Sequence, residues 1–246
     1  LALSICILAG LCAVGIASLP CQQFLVPSYI YPTGSSWDAL CGIHGFIIIN
    51  PSDGPGTSKN TDYVTGTAKA QASGTFVVGY VHSTYAAQPL SAVEHNISLY
   101  YEWYSVNGIF IDEASSESKD IAYYQTLYQY VKSKDSAPNK THVIINPGEV
   151  PNIGYAHGCA DIIVADENSE SSYYSFNPGW TQNTSTVNIS HIIYDVPDTA
   201  NVVWTIDRSR SFGAQYIFVT DNDKYDHNPP YWQYEMKYVD TECAFR

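Results

Sequence analysis

Two pairs of adjacent carboxylates stand at the ends of apolar runs. Asp112 and Glu113 follow Gly108-Ile109-Phe110-Ile111, and Asp166 and Glu167 follow Ile162-Ile163-Val164-Ala165. Runs of β-branched and aromatic residues this short read as buried strands. In parallel α/β folds the C-terminal end of a strand opens onto the ligand crevice, so acids placed there serve chemistry more often than solubility. Carboxyl groups held close together resist simultaneous ionisation, which leaves one protonated beside one ionised. Cleavage of a glycosidic bond needs that division, a proton for the leaving oxygen and an ionised partner as nucleophile or base. The plain structural alternative is helix capping by Asp112 or by Asp166-Glu167, with Glu113 in a first helical turn.

The elements that would position these acids follow from periodicity and turn signals. Strands are predicted over 23–31, 44–50, 75–82, 108–113, 141–146, 161–167, 190–196 and 215–220. Helices are predicted over 35–42, 61–73, 90–106, 119–133, 153–159, 201–212 and 231–242. The stretch from 168 to about 188, rich in Tyr, Ser, Asn and Gly, reads as an exposed loop with one helical turn. Each strand-to-strand interval is long enough for a crossover connection. Eight such units in one chain predict a single-domain α/β fold, a (β/α)8 TIM barrel over 18–246. No glycine fingerprint for phosphate follows the first strand, which weighs against an open dinucleotide-binding sheet.

In a barrel the strand ends gather on one rim. They are Tyr29, Asn50, Tyr80, His82, Asp112, Glu113, Asn146, Asp166, Glu167, Asp195 and Asp221. Side chains alternate along a strand, so one of each adjacent pair should face the centre unless the strand end kinks. Asp112 or Glu113 would then face Glu167 across the mouth. His82 could hydrogen-bond a sugar or a carboxylate, or be a satisfied structural histidine. Tyr29, Tyr80 and Tyr85 could stack on a sugar face or simply pack. Asn50-Pro51 and Asn146-Pro147 could present amides to a ligand or only form turns. No G-x-S-x-G marks a nucleophile elbow.

The 246 residues include 24 acidic and 11 basic side chains, a formal charge of -13, which argues against a nucleic-acid surface and against anionic lipid. The 21 tyrosines and 5 tryptophans offer many flat faces with polar edges. Residues 1–17 carry no charge and read as a signal-peptide apolar region, with Gly15 and Ala17 as small residues for cleavage. A secreted chain with no stable membrane insertion after cleavage is the expectation, the uncleaved anchor being the alternative. Sequons at Asn96, Asn139, Asn183 and Asn188 agree with secretion. Without the leader, Cys21, Cys41, Cys159 and Cys243 remain, an even number compatible with two disulfides. No C-x-x-C or H-E-x-x-H occurs, and neither a metal nor a cofactor is expected.

The segments Val26-Pro27-Ser28-Tyr29-Ile30-Tyr31-Pro32, Ile49-Asn50-Pro51-Ser52-Asp53-Gly54-Pro55-Gly56 and Gly79-Tyr80-Val81-His82 occur in order. Trp103-Tyr104, Gly108 to Glu113, Asn146-Pro147-Gly148 and the Glu167 strand end follow. Together they resemble the spherulin-4-like family across nearly all of the chain after the leader. The resemblance implies a (β/α)8 barrel and a glycoside hydrolase cutting α-1,4-linked N-acetylgalactosamine, as in galactosaminogalactan of walls and biofilms. It places catalytic acids at Asp112, Glu113 and Glu167. Tyr29, Asn50, Tyr80, His82, Asn146, Asp166 and Asp195 are then candidates to bind the polysaccharide, by a monomer. Past the sixth strand, Asn168-Ser169-Glu170 and a sequon-bearing insertion depart from the family pattern. A non-catalytic cell-wall or carbohydrate-binding protein on the same barrel is the alternative.

Overall fold

The computed structural model describes residues 21–135 and 140–244. Strands and helices alternate from the start: β1 Gln23–Ser28, α1 Gly34–Asp38, β2 Gly45–Ile49, α2 Thr61–Ala72, β3 Phe76–His82, α3 Leu90–Tyr104, β4 Gly108–Asp112 and α4 Ile121–Lys132. There follow β5 His142–Ile145, β6 Ile162–Ser169, the short α5 Glu170–Tyr173, β7 Asn188–Tyr194, α6 Thr199–Ser211, β8 Tyr216–Val219 and α7 Trp232–Ala244. Every strand pair is parallel and the sheet closes in chain order into an eight-stranded barrel. The segment expected as a helix over 153–159 is instead a single 3₁₀ turn, Ile153–Ala156, with Asn152 accepting from the Gly154 N–H at 2.9 Å. The loop expected between the sixth and seventh strands holds α5 and a 3₁₀ turn, Gly179–Asn183, and β7 begins at Asn188. Among the described residues no helix is long and apolar enough to cross a membrane. The expected leader over 1–17 and the Asn139 sequon lie outside the described residues.

Strands β2, β3 and β4 are apolar nearly throughout because both of their faces are covered, one by the barrel interior and one by helices. A ring cluster closes the lower interior: Phe46 stacks on Phe76 at 5.3 Å, with His142 at 5.0 Å and Tyr216 at 5.7 Å from Phe46. These four come from β2, β3, β5 and β8, so they fix which parity faces inward on each. Gly79 on β3 answers a packing demand from outside, since a Cβ there would come within 2.3 Å of the Tyr100 ring on α3. The closure between β1 and β8 is short. It pairs Gln23 with Tyr216 and Phe24 with Ile217, whereas β1 pairs with β2 over five positions. Above that point the gap is bridged by side-chain and loop bonds. The Val219 N–H donates to Glu235 of α7 at 2.9 Å, and the Tyr29 N–H donates to the Tyr225 carbonyl at 2.9 Å.

Two disulfides do not form. Cys41 and Cys159 are free thiols, each with its sulfur directed at a nearby backbone carbonyl, of Trp37 at 3.5 Å and of Ile121 at 3.8 Å. Cys21 is disulfide-bonded.

Candidate active site

Asp112 ends β4 in register with His82 of β3, on the same parity as Phe110, whose ring stacks on Tyr80 at 6.3 Å. That parity points Asp112 into the barrel mouth. Asn146 follows β5 on the inward parity of His142 and Ile144. Glu167 reaches the centre by an irregularity. Along β6, Val164 pairs with Ser190 of β7, but the next paired residue is Asp166, with His191. The extra residue, Ala165, is a β-bulge, and it reverses the facing of all that follows. His191 points away from the barrel, where its Nδ1 hydrogen-bonds the Tyr173 hydroxyl at 2.7 Å and its ring meets Phe176 and Phe212. Asp166 shares that outer side, and Glu167 turns inward beside Ile192.

The two inward carboxylates share one amide. Nδ2 of Asn146 donates to Oδ1 of Asp112 at 2.8 Å and also, by a short bond, to Oε2 of Glu167. The amide cannot flip at no cost, because its Oδ1 accepts from the Gly148 N–H at 3.0 Å. Gly148 adopts a left-handed backbone, φ 67°, and its carbonyl accepts from the Glu167 N–H at 3.1 Å, so one tight turn orients both. Tyr80 hydrogen-bonds Asp112. The Tyr225 hydroxyl donates to Oε1 of Glu167 at 2.6 Å. Burial pushes the Asp112 carboxyl up, against the pull of hydrogen bonds from Tyr80, the Glu113 N–H and Asn146. Glu167 is likewise raised by burial and by the Asp112 charge, with Tyr225 and Asn146 pulling it down. An open cleft of about 220 Å³ lies over the pair, lined by Tyr85, Asp112, Glu113, Asn146, Pro147, Gly148 and Glu167. The Asp112 charge thus opposes ionisation of Glu167, which favours a proton on one of the two.

The model of the spherulation-specific family 4 matches residues 23–239. The chain belongs to that family. Spherulin-4 of Physarum polycephalum is 37% identical over 164 residues, 63% of this chain and 48% of that protein. The chain thus spans about half the length of the curated relative it matches. The crystal structure of Aspergillus clavatus Sph3 in complex with GalNAc superposes with a TM-score of 0.76 at 24% identity, covering 89% of this chain and 98% of that one. That likeness is one of fold, and it matches the closed parallel barrel seen here.

Within this family member the candidates separate by place. Asp112, Glu167 and Asn146 meet at the cleft floor, with Tyr80 behind Asp112. Glu113 lies just past β4 with a left-handed backbone, φ 48°, and its half-exposed carboxylate stands on the rim. His82 sits between Oε2 of Glu113 at 3.6 Å and Oδ2 of Asp53 at 3.7 Å, and accepts from the Gln88 amide at 2.9 Å. Tyr29 packs edge-on against Tyr80 and Tyr225, and is held by Asn50, whose Oδ1 also accepts from the Gly54 N–H. Asp195 is exposed on the loop after β7, outside the cleft lining. Asp166, expected to bind ligand, is instead buried behind the strand because of the bulge. Its Oδ2 has no partner, its Oδ1 accepts from Asn168 at 2.9 Å, and burial raises its carboxyl to about 7. Of the sequons, Asn188 opens β7 exposed and Asn96 is half-buried in α3.

Tyr225 is the residue that sequence reasoning missed. It lies in the loop after β8, where Asn222 accepts from the Lys224 and Tyr225 N–H groups at 2.8 and 3.2 Å. Its φ of 54° is left-handed. The only signal was the Asp221-Asn222-Asp223 run, whose side chains favour such turns.

Proposed function

We propose that the chain is a glycoside hydrolase of a polymer of α-1,4-linked N-acetylgalactosamine, partly deacetylated, with Asp112 and Glu167 as its acid and nucleophile pair. One observation carries this: a single amide, Asn146, donates to both carboxylates at the floor of an open cleft. Two oxygens on one nitrogen are at most two hydrogen bonds apart, roughly 6 Å. Retaining glycosidases hold their carboxyls about 5–5.5 Å apart and inverting ones about 6.5–9.5 Å. We take the retaining course, the one in which the two carboxyls lie closer together. In that course one carboxyl gives its proton to the glycosidic oxygen while the other attacks the anomeric carbon. The first then takes a proton from the water that releases the glycosyl-enzyme. Glu113, on the rim, would tune the pair through its charge on Asp112.

The sugar is supported by family membership and by the GalNAc bound in the Sph3 structure of the same fold. A formal charge of -13 suits a partly deacetylated, cationic polymer, whose binding should weaken with salt. Secretion of a monomer, with glycan at the exposed Asn188, belongs to the same proposal and is supported by the disulfide-bonded Cys21. The test is release of reducing ends from the purified polymer. Glu167→Gln and Asp112→Asn should each lower the rate by about 10²-fold or more. Full rates in both variants would refute the assignment.

A second reading has one observation in its favour. Both carboxylates are already satisfied by the chain's own donors, Asn146, Tyr80 and Tyr225, as ligand-binding acceptors would be. Polymer binding without any reducing ends after long incubation would favour a non-catalytic wall protein.

A further inference from the structure

Tyr85 is the most exposed large apolar side chain among the described residues, at 64%, yet it lines the cleft beside Asp112, Glu113 and Glu167. It makes no side-chain hydrogen bond or ring contact within those residues. An aromatic ring on a free loop would be expected to fold down onto apolar surface. Here it stands out in solvent, carried on an unusual backbone. Thr84, Tyr85 and Ala86 are consecutive left-handed residues, with φ of 46°, 54° and 66°. None is glycine, so each carries the steric strain of a Cβ in the left-handed region.

The arc is clamped to the strand end that carries Asp112. The Tyr85 N–H donates to the Glu113 carbonyl at 2.7 Å and the Ser83 N–H to the Asp112 carbonyl at 3.0 Å. The Ser83 hydroxyl donates to the Glu113 carbonyl at 2.9 Å and meets the Tyr124 hydroxyl at 2.9 Å. The Gln88 N–H closes the loop on the Ser83 carbonyl at 3.2 Å. A strained arc braced this thoroughly fixes the backbone that carries the ring at the edge of the cleft over the carboxylate pair.

A pyranose carries its C–H bonds on its faces and its hydroxyls around its edge. The face suits an aromatic ring, and the edge suits the Glu113 carboxylate and Asn146 amide nearby. We propose that Tyr85 is the stacking platform of a sugar subsite beside the cleaved bond, taking the neighbouring pyranose unit of the polymer. This rests on the hydrolase reading above and adds where the chain is gripped.

The test separates the two. In a Glu167→Gln background, which blocks turnover, oligomers of N-acetylgalactosamine, galactosamine, N-acetylglucosamine and mannose are titrated calorimetrically. Tyr85→Ala should weaken binding about tenfold, while Tyr85→Phe and Tyr85→Trp stay within about threefold of the parent. The ring is 64% exposed and stacks on no other ring among the described residues, so all three variants should unfold near the parent's temperature. Equal affinity for Tyr85→Ala and parent overturns the subsite and leaves the hydrolase reading standing. Tyr85-dependent binding of a different oligomer keeps the subsite and overturns the proposed substrate. No binding of any oligomer by the Glu167→Gln parent overturns the subsite.

Discussion

Asn146 and Tyr225 set how the carboxyl pair holds its proton. Each donates to the ionised form and so opposes the upward push of burial. Removing a donor must therefore raise the pair. In Tyr225→Phe, which keeps the ring, the Glu167 carboxyl loses a donor that lowers it, and the last proton of the pair leaves at higher pH. The alkaline limb of kcat/KM should move to higher pH, by about half a unit to one unit for one hydrogen bond. An unmoved limb in the pH profile would show that Tyr225 does not act on Glu167. Asp112 and Glu167 were legible because strand ends are announced by the apolar runs before them. Tyr225 was not, because a loop has no period and its left-handed backbone comes from neighbours, Asn222 and Tyr29, that sequence does not bring together.

At the scale of the strand, the bulge at Ala165 decides which acid of an adjacent pair reaches the cleft. Alternation alone left open which acid of Asp166-Glu167 faces inward, and the inserted residue could not be read from Val164-Ala165-Asp166, which has the composition of any regular strand. Its cost is visible in Asp166. That carboxyl is neutral up to about pH 7 in the fold, against about 3.9 in an unfolded chain. Its contribution to stability is complete below pH about 4 and declines as pH rises to about 7, because the unfolded state ionises first. Asp166→Asn should remove this decline. Its unfolding free energy should match the parent's at pH 4 and exceed it at pH 8, by up to on the order of 3 kcal/mol. Denaturant melts at the two pH values check it, and a gap that does not widen would place the bulge's cost elsewhere.

At the scale of the whole fold, seven of the eight left-handed non-glycine residues among those described (Asp53, Thr84, Tyr85, Ala86, Glu113, Asp195 and Tyr225) lie on loops that follow strands. Strain is thus collected on the rim that carries the carboxylates, as expected of a surface shaped for a ligand. The eight-fold alternation was legible because strand spacing allowed only crossovers. The uneven closure was not, since nothing local distinguishes β8 from its fellows. Glu235 matters there. It is wholly buried and takes the Val219 N–H that strand pairing leaves over. Glu235→Ala should destabilise the fold by about 1–3 kcal/mol, measured by thermal melts, and speed hydrogen exchange at Val219. Exchange there no faster than in β2 would show the gap to be as tight as a full strand pair.

Tyr225 hangs from the segment that laces this seam, tied across it by the Tyr29 amide. If the seam loosens first, the hydroxyl swings off Glu167 while the other staves of the barrel stay joined. Gentle warming would then silence turnover well before the circular dichroism changes, and cooling would bring it back.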